Sequence, residues 1–323
     1  MLNFEFADDP VYSGVELQWF DDDEHGTGML AFLTRRDTDR VDYYRQPGLG
    51  LDPSTYPIGG GVGIWDETPF DDAVLTVAGD GVRAGATFTD ADGRRIEVRV
   101  DDRDGSRRRR GCLLAPVSDG ITNPTSLLLV WLPVFDVVHR GDHAPVVRID
   151  GVDLTIGGLP GAWLHRRHLI KYAAPVVIIE VFPDDDGAAE GPLGMVEENA
   201  DEHVAQLVFT PALPPLETVP DDATARGRWT IAIDDHRLTG GTWFAEHDDD
   251  GVTAGLDVSE RWKPPRDVPL LIRLVTTVAP VFRKWPTTYR WRATITREGR
   301  REVGWMRTGT AGSDDYRRAT GTR

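Results

Sequence analysis

The sequence predicts a mostly β protein of two antiparallel β-barrel or sandwich domains, the second carrying one kinked amphipathic helix. Three observations carry that reading. Apolar and polar residues alternate over many short stretches, as they do along half-buried strands. Clusters of Asp, Gly and Pro interrupt those stretches at roughly ten-residue spacing, which fits sandwiches and barrels. One stretch alone changes period: Leu271, Leu274, Val275, Val278 and Phe282 recur at three- and four-residue steps, a helix stripe.

Taken in order, Val15, Leu17 and Trp19 alternate with Glu16 and Gln18, a first strand. The acidic run Asp21–Glu24 reads as a hairpin loop and Met29–Leu33 as the return. From Tyr43 to Phe70 the period fails, and four prolines with the cluster Gly59–Gly63 mark a long irregular loop holding Trp65, Asp66 and Glu67. Loops of that length in a compact domain often carry function. Val82, Ala84, Ala86 and Phe88, a turn at Asp90–Gly93, then Ile96, Val98 and Val100 make a hairpin in which turn chemistry and alternation agree. Leu127–Leu132 is apolar on both faces, fitting either a central strand or a short buried helix. Val146–Ile156 turns at Asp150-Gly151, and Val176–Phe182 is a strongly apolar strand.

Pro183–Pro192, extended by Ala200–His203, has linker composition, so the first domain is expected to span 1–195 and the second 196–323. In the second, strands are predicted around Leu207–Phe209, Trp229–Ile233, Thr242–Glu246 and Val252–Val258. The helix is predicted over 268–285. Asp267 can cap it, Pro269 falls in its first turn, and Pro280 is expected to kink it by displacing the Thr276 carbonyl. Trp285 before Pro286 fixes its end, and a hairpin from Tyr289 to Trp305 follows. Such a helix is expected to close a barrel end or pack on its wall.

Composition narrows function. With 53 acidic against 36 basic residues the net charge is −17, which disfavours nucleic-acid backbones and anionic membrane surfaces as partners. Arg outnumbers Lys 33 to 3, read as base-composition bias of a bacterial genome. The single cysteine, Cys112, excludes an intramolecular disulfide and reads as a buried thiol. The acidic amino terminus lacks a signal-peptide pattern. The longest apolar run, Leu127–Phe135, is too short to span a bilayer, so stable membrane insertion is not expected and a cytoplasmic location is.

No catalytic fingerprint is present. The Gly59–Gly63 cluster lacks the Lys-Ser/Thr of a phosphate loop, and the acidic runs at Asp21, Asp184 and Asp248 fail calcium-loop spacing. His165 and His168 could share a helix face, but no third ligand supports them, and a polar loop at a pocket mouth fits better. No metal site and no cofactor are expected. Glu180, within an apolar strand, and Asp66, in the long loop, are the candidate proton donors; a carboxyl facing an apolar space would have a raised pKa. Asp136 is a similar case. Trp65, Trp163, His165, His168, Tyr172, Trp243 and Trp291 are the candidate substrate-binding residues. Six of the ten tryptophans lie in the C-terminal third, where they either fill a core or line an aromatic cavity.

Two successive meanders, Trp19 on an early strand, and the aromatic hairpin with Trp291 and Trp305 together resemble the two-domain lipocalin-like group. That group includes carotenoid 1,2-hydratases, tocopherol cyclases, decalin-forming cyclases and AttH-like proteins. The resemblance implies a hydrophobic small molecule, isoprenoid or polyketide-like, in a barrel or inter-domain cavity. It also implies cofactor-free, acid-assisted cyclisation or hydration in secondary metabolism. A carrier of an apolar metabolite without chemistry is the alternative reading, and a carbohydrate-binding sandwich with tryptophan platforms is a third.

Overall fold

The computed structural model describes residues 1–38, 40–53, 62–105, 107, 109–116, 126–139, 143–158, 167–183, 193–198, 205–221, 223–249, 251–299 and 301–307. Among these the chain is mostly strand and forms two units. Met1–Gly111 with Pro133–Pro175 make the first, Cys112–Leu132 with Val176–Arg323 the second. Residue 195, the expected boundary, falls inside the second unit.

The first unit begins with β1 (Leu2–Glu5), β2 (Tyr12–Asp22), β3 (Gly26–Arg35), β4 (Val41–Arg45) and β5 (Val62–Glu67). It continues with β6 (Phe70–Ala78), β7 (Gly81–Thr89) and β8 (Arg95–Asp101). β9 (Gly111–Ala115) and β10 (Leu127–His139) follow; β9 beyond Gly111 and the first six residues of β10 belong to the second unit, the rest of β10 to the first. β11 (Val146–Ile149), β12 (Val152–Asp153) and β13 (Arg167–Ala173) complete the first unit. One of its sheets runs β10-β13-β1-β2-β3-β4-β5, the other β12-β11-β8-β7-β6.

Alternation explains how the two sheets stack. Leu2, Phe4, Val15, Leu17, Met29, Ala31 and Leu33 point from the first sheet into one buried cluster. Val82, Ala84, Ala86, Phe88, Ile96, Val98 and Val100 enter the same cluster from the second. This is a sandwich core. The predicted β7–β8 hairpin forms around Asp90–Gly93, where Gly93 takes φ +80°. Trp19, past the edge of the core, is 37% exposed.

The stretch expected to be one irregular loop contains β4 and β5, paired in parallel with Tyr43 opposite Trp65. Alternation was hidden there by a carboxylate on the apolar side. Asp42 is fully buried, takes the Arg35 guanidinium at 2.8 and 2.9 Å, and accepts the Tyr12 hydroxyl at 3.1 Å. Tyr44 and Asp90 lie 3.3 Å from the same hydroxyl. Arg94 pairs with Asp90 at 2.9 Å and Asp9 at 3.4 Å while its guanidinium covers the Tyr12 ring at 4.6 Å. Burial drives the Tyr12 phenol far above its ordinary pKa. A Cβ on Gly63 would overlap the Asp42 carboxylate, so the last glycine of the Gly59–Gly63 cluster makes room for this network. Gly59–Gly61 lie outside the described residues.

In the second unit, β14 (Val177–Pro183) pairs with the Leu127–Trp131 part of β10 and with β15 (Leu193–Glu198). Leu127–Leu132 is therefore strand, buried through Leu127, Leu129 and Trp131. β16 (Ala205–Thr210), β17 (Thr224–Ile233), β18 (His236–Asp248), β19 (Gly251–Glu260), β20 (Tyr289–Thr296) and β21 (Arg301–Arg307) form a six-stranded antiparallel meander in sequence order.

Between β19 and β20 the expected single kinked helix is two. α1 spans Leu270–Val278 and α2 spans Pro280–Lys284, with Ala279 extended at φ −65°, ψ 126°. The clash of the Pro280 ring with the residue before it breaks the helix where a kink was expected. Pro269 takes the N-cap position without a side-chain cap, so Asp267 does not cap α1. Trp285 is extended before Pro286, and the helical segment ends there as predicted. The stripe itself is rotated from expectation. Ile272 and Thr276 are buried, whereas Leu270, Leu274 and Val278 are 79%, 60% and 55% exposed. Thr276 tolerates burial because its hydroxyl bonds the Ile272 carbonyl at 2.8 Å.

Candidate functional site

The sandwich of the first unit uses one face of its larger sheet for the core, and strand alternation puts a different set of residues on the other face. Register sets them in a transverse row: Lys171 opposite Asn3, Asn3 opposite Glu16, Glu16 opposite Phe32, Phe32 opposite Tyr43, Tyr43 opposite Trp65. The polar half is hydrogen-bonded. Lys171 Nζ donates to Asn3 Oδ1 at 3.4 Å, and Asn3 Nδ2 donates to Glu16 Oε2 at 3.0 Å. Gln18 Nε2 donates to Glu16 Oε1 at 2.7 Å. The aromatic half is packed. Phe32 and Tyr43 have ring centroids 4.7 Å apart, and Tyr43 stacks on Trp65 at 5.1 Å and 28°. Phe20, Leu30, Leu49 and Leu51 bury themselves beside Tyr43 to form a second apolar cluster.

Glu16 is half-buried. Loss of solvation raises its carboxyl pKa, against the opposing hydrogen bonds from Gln18 and Asn3 and the charges of the amino terminus and Lys171. Tyr43 is raised by burial and further by the Glu16 charge. A carboxyl that holds its proton to higher pH, beside aromatic ring faces, has the parts for donating a proton to an unsaturated substrate and for stabilising the cation that results. Sequence reasoning passed over Glu16 because, between Val15 and Leu17, it reads as the solvent side of a half-buried strand. The enclosure of that side comes from the flanking strands β1, β3, β4 and β13, which local pattern does not report.

The second unit holds a cleft of about 970 Å³ at the β17–β18 turn, the end of β19 and α2. His236, Arg237, Arg261, Lys263 and Arg283 line it with the acids Asp235 and Glu260. Glu260 is held by Arg228 and Arg237, each at 2.6 Å. Arg261, Lys263 and Arg283 form no ion pair among the described residues. Beneath, His236 tilts against Trp131 at 5.0 Å and Trp262 meets the Trp131 edge at 6.3 Å. The cleft is cationic and suits an anionic group.

The predicted site residues separate. Trp65, Asp66, His168 and Tyr172 belong to the first unit, Glu180, Trp243 and Trp291 to the second. Trp163 and His165 lie outside the described residues. Trp65 is in the row above, while Asp66 beside it is exposed and accepts the Glu67 amide at 2.9 Å. His168 is half-buried on β13. Tyr172 is buried, with the Arg110 guanidinium 5.5 Å from its ring. Glu180 is half-buried opposite Leu128 and accepts the Ser126 hydroxyl at 2.8 Å. Asp136 is buried and accepts the Val137 amide at 2.8 Å.

Trp243 and Trp291 are fully enclosed, in a transverse row that runs Gly227, Trp243, Leu256, Trp291, Trp305 across the meander. A Cβ on Gly227 would overlap the Trp243 ring, so that indole packs over the glycine. The indole N–H groups of Trp229, Trp243, Trp285, Trp291 and Trp305 meet no acceptor among the described residues. Among those residues no cluster of three or more His, Cys, Asp or Glu could hold a metal. Comparison with protein-family models, with curated proteins and with solved structures found no match to this chain.

Proposed function

We propose that the chain binds a hydrophobic, unsaturated small molecule of isoprenoid or polyketide type and catalyses cofactor-free, acid-assisted cyclisation or hydration. The likeness in layout to the two-domain lipocalin-like cyclases and hydratases is part of the same proposal. The observation that carries it is Glu16: its carboxyl pKa is raised by burial, and it shares one sheet row with Phe32, Tyr43 and Trp65. In this reading Glu16 donates the proton, and Asn3, Gln18 and Lys171 orient the carboxyl. Phe32 and Trp65, the half-buried rings of the row, face the developing cation, and Tyr43, buried against both, holds them in place. Glu16 takes the role first considered for Glu180 and Asp66, because it is half-buried in a row with Phe32, Tyr43 and Trp65, whereas Asp66, opposite Tyr44, is exposed and Glu180 stands opposite Leu128 and Val196. The test is turnover of a panel of linear polyenes and polyene epoxides by the wild-type chain and Glu16→Gln. Loss of product with substrate binding retained is expected. Equal product from both proteins would remove Glu16 from the chemistry.

A carrier without chemistry is favoured by a different observation, the buried indole N–H groups of the second unit that meet no acceptor among the described residues. Buried Trp N–H groups usually find a partner, and oxygens of a bound metabolite would supply one. Native mass spectrometry of protein taken from its own host separates the two readings. A carrier retains an unchanged ligand, and the retention survives Glu16→Gln.

A further inference from the structure

We propose that Arg261–Lys284 of the second unit is a docking surface for an anionic lipid bilayer. On α1, the residues at steps of four, Leu270, Leu274 and Val278, lie opposite the packed pair Ile272 and Thr276 and stand 79%, 60% and 55% exposed. An amphipathic helix that packs by its less apolar side and presents leucines to water is arranged for an apolar medium outside the protein. The segment is held at both ends by buried side chains, Val268 before α1 and Trp285 after α2, which fixes its rotation.

Charge identifies the medium. The chain as a whole carries −17, yet this segment has six cationic side chains, Arg261, Lys263, Arg266, Arg273, Arg283 and Lys284, against the single acid Asp267. Two of the chain's three lysines lie here. Arg261, Lys263 and Arg283 line the cleft without an ion pair among the described residues. The acidic remainder of the chain does not cancel this, because a headgroup layer feels only charges within a Debye length, about 8 Å at physiological salt. A second copy of the chain meets the requirement less well: a two-fold contact would set one cationic segment against its equal. The leucine face then enters the acyl boundary while the cations meet lipid phosphates. The Glu16 reading plays no part in this inference.

The experiment is co-sedimentation of the full chain with vesicles of phosphatidylcholine alone and of phosphatidylcholine mixed with phosphatidylglycerol. Binding to the mixed vesicles only, reversed by high salt, is expected. Leu270→Ser/Leu274→Ser/Val278→Ser should lose that binding with an unchanged circular dichroism spectrum. Arg283→Gln/Lys284→Gln should lower partitioning roughly thirty-fold. Failure to bind the mixed vesicles, equal binding to both kinds, or undiminished binding by the triple variant would overturn the inference. So would a wild-type dimer that the triple variant dissociates without any vesicle binding, which would give the face to a second copy.

Discussion

Replacing Asp42 by Asn tests whether the polar network inside the first sandwich holds the fold together. The carboxylate is fully buried and receives Arg35 through two bonds of 2.8 and 2.9 Å and Tyr12 at 3.1 Å. The amide keeps the shape but removes the charge and returns only one acceptor oxygen. Breaking a buried pair costs about 3–5 kcal/mol, because the remaining charge is left without its counterion. The Arg35 side chain is 24% exposed and can recover part of its hydration, which places the cost near the lower end, about 3 kcal/mol. With urea slopes of about 1–3 kcal/mol per molar, the midpoint should fall by roughly 1–3 M. Urea unfolding followed by tryptophan fluorescence and by circular dichroism is the assay. Arg35→Gln in the same background should then cost far less than it does alone, since the two groups act as one. Arg103 and Asp101 form an equally short pair, 2.7 Å, in the open, and Arg103→Gln should leave the midpoint in place. A fall below about 1 kcal/mol for Asp42→Asn, or additive costs in the double variant, would refute the assignment of Asp42 as the counterion of a desolvated Arg35.

Three further outcomes follow from single sites. Because the Glu16 pKa is raised in the folded chain, the stability it contributes is full below the ordinary carboxyl value of 4.5 and is lost as pH rises through the folded value. Glu16→Gln should therefore gain on the wild type with rising pH, and a difference in urea midpoints that does not change with pH would contradict the raised pKa. Gly227→Ala puts a methyl into the Trp243 ring and 2.8 Å from the Thr210 carbonyl, so about 1–3 kcal/mol of destabilisation is expected in the same assay. Cys112 is buried, and burial, with the Asp267 charge adding to it, pushes its thiol up to about 11. Iodoacetamide at mildly alkaline pH should label it slowly in the folded chain and fast in urea, and equal rates would show the thiol to be open.

Most of the strands were legible because one face of each is apolar. Val82 to Val100 and Trp229 to Val258 announce themselves by alternation and by turns whose backbone demands are visible, such as Asp150 and Gly151 at φ 51° and 78°. β4 was not legible, because Asp42 occupies a core position and its partners, Tyr12 and Arg35, lie on other strands. A buried carboxylate has no local signature. The helix stripe was legible as a helix but not in its rotation. Periodicity says that Leu271, Leu274, Val275 and Val278 share a side, and only packing decides which edge of it faces protein: Leu271 and Val275 are half-buried, Leu274 and Val278 exposed. Of the site, Trp65 was singled out, and the row that gives it neighbours depends on β4–β5 pairing across an intervening stretch that no turn signal encodes.

The two faces of the larger sheet in the first unit separate the buried polar network from the aromatic row within single strands. On β4, Asp42 and Tyr44 point to the core and Tyr43 to the opposite face, so consecutive residues serve different ends. On β2, Val15 and Leu17 belong to the core cluster while Glu16 and Gln18 hydrogen-bond to each other on the other side. Strand register links the two faces rigidly, since a slip by one residue would exchange every side chain between them. The Asp42–Arg35–Tyr12 network resists such a slip, because it is satisfied in one register only and would leave a buried carboxylate unpaired in any other. Tyr43 can therefore meet Trp65 on one side because Asp42 is anchored on the other. Destabilising the network should loosen the aromatic row before it unfolds the sandwich. Conversely, under the proposed function, substitutions of Glu16, Phe32 or Trp65 should alter turnover of the polyene panel while leaving the urea midpoint nearly where it was at acidic pH.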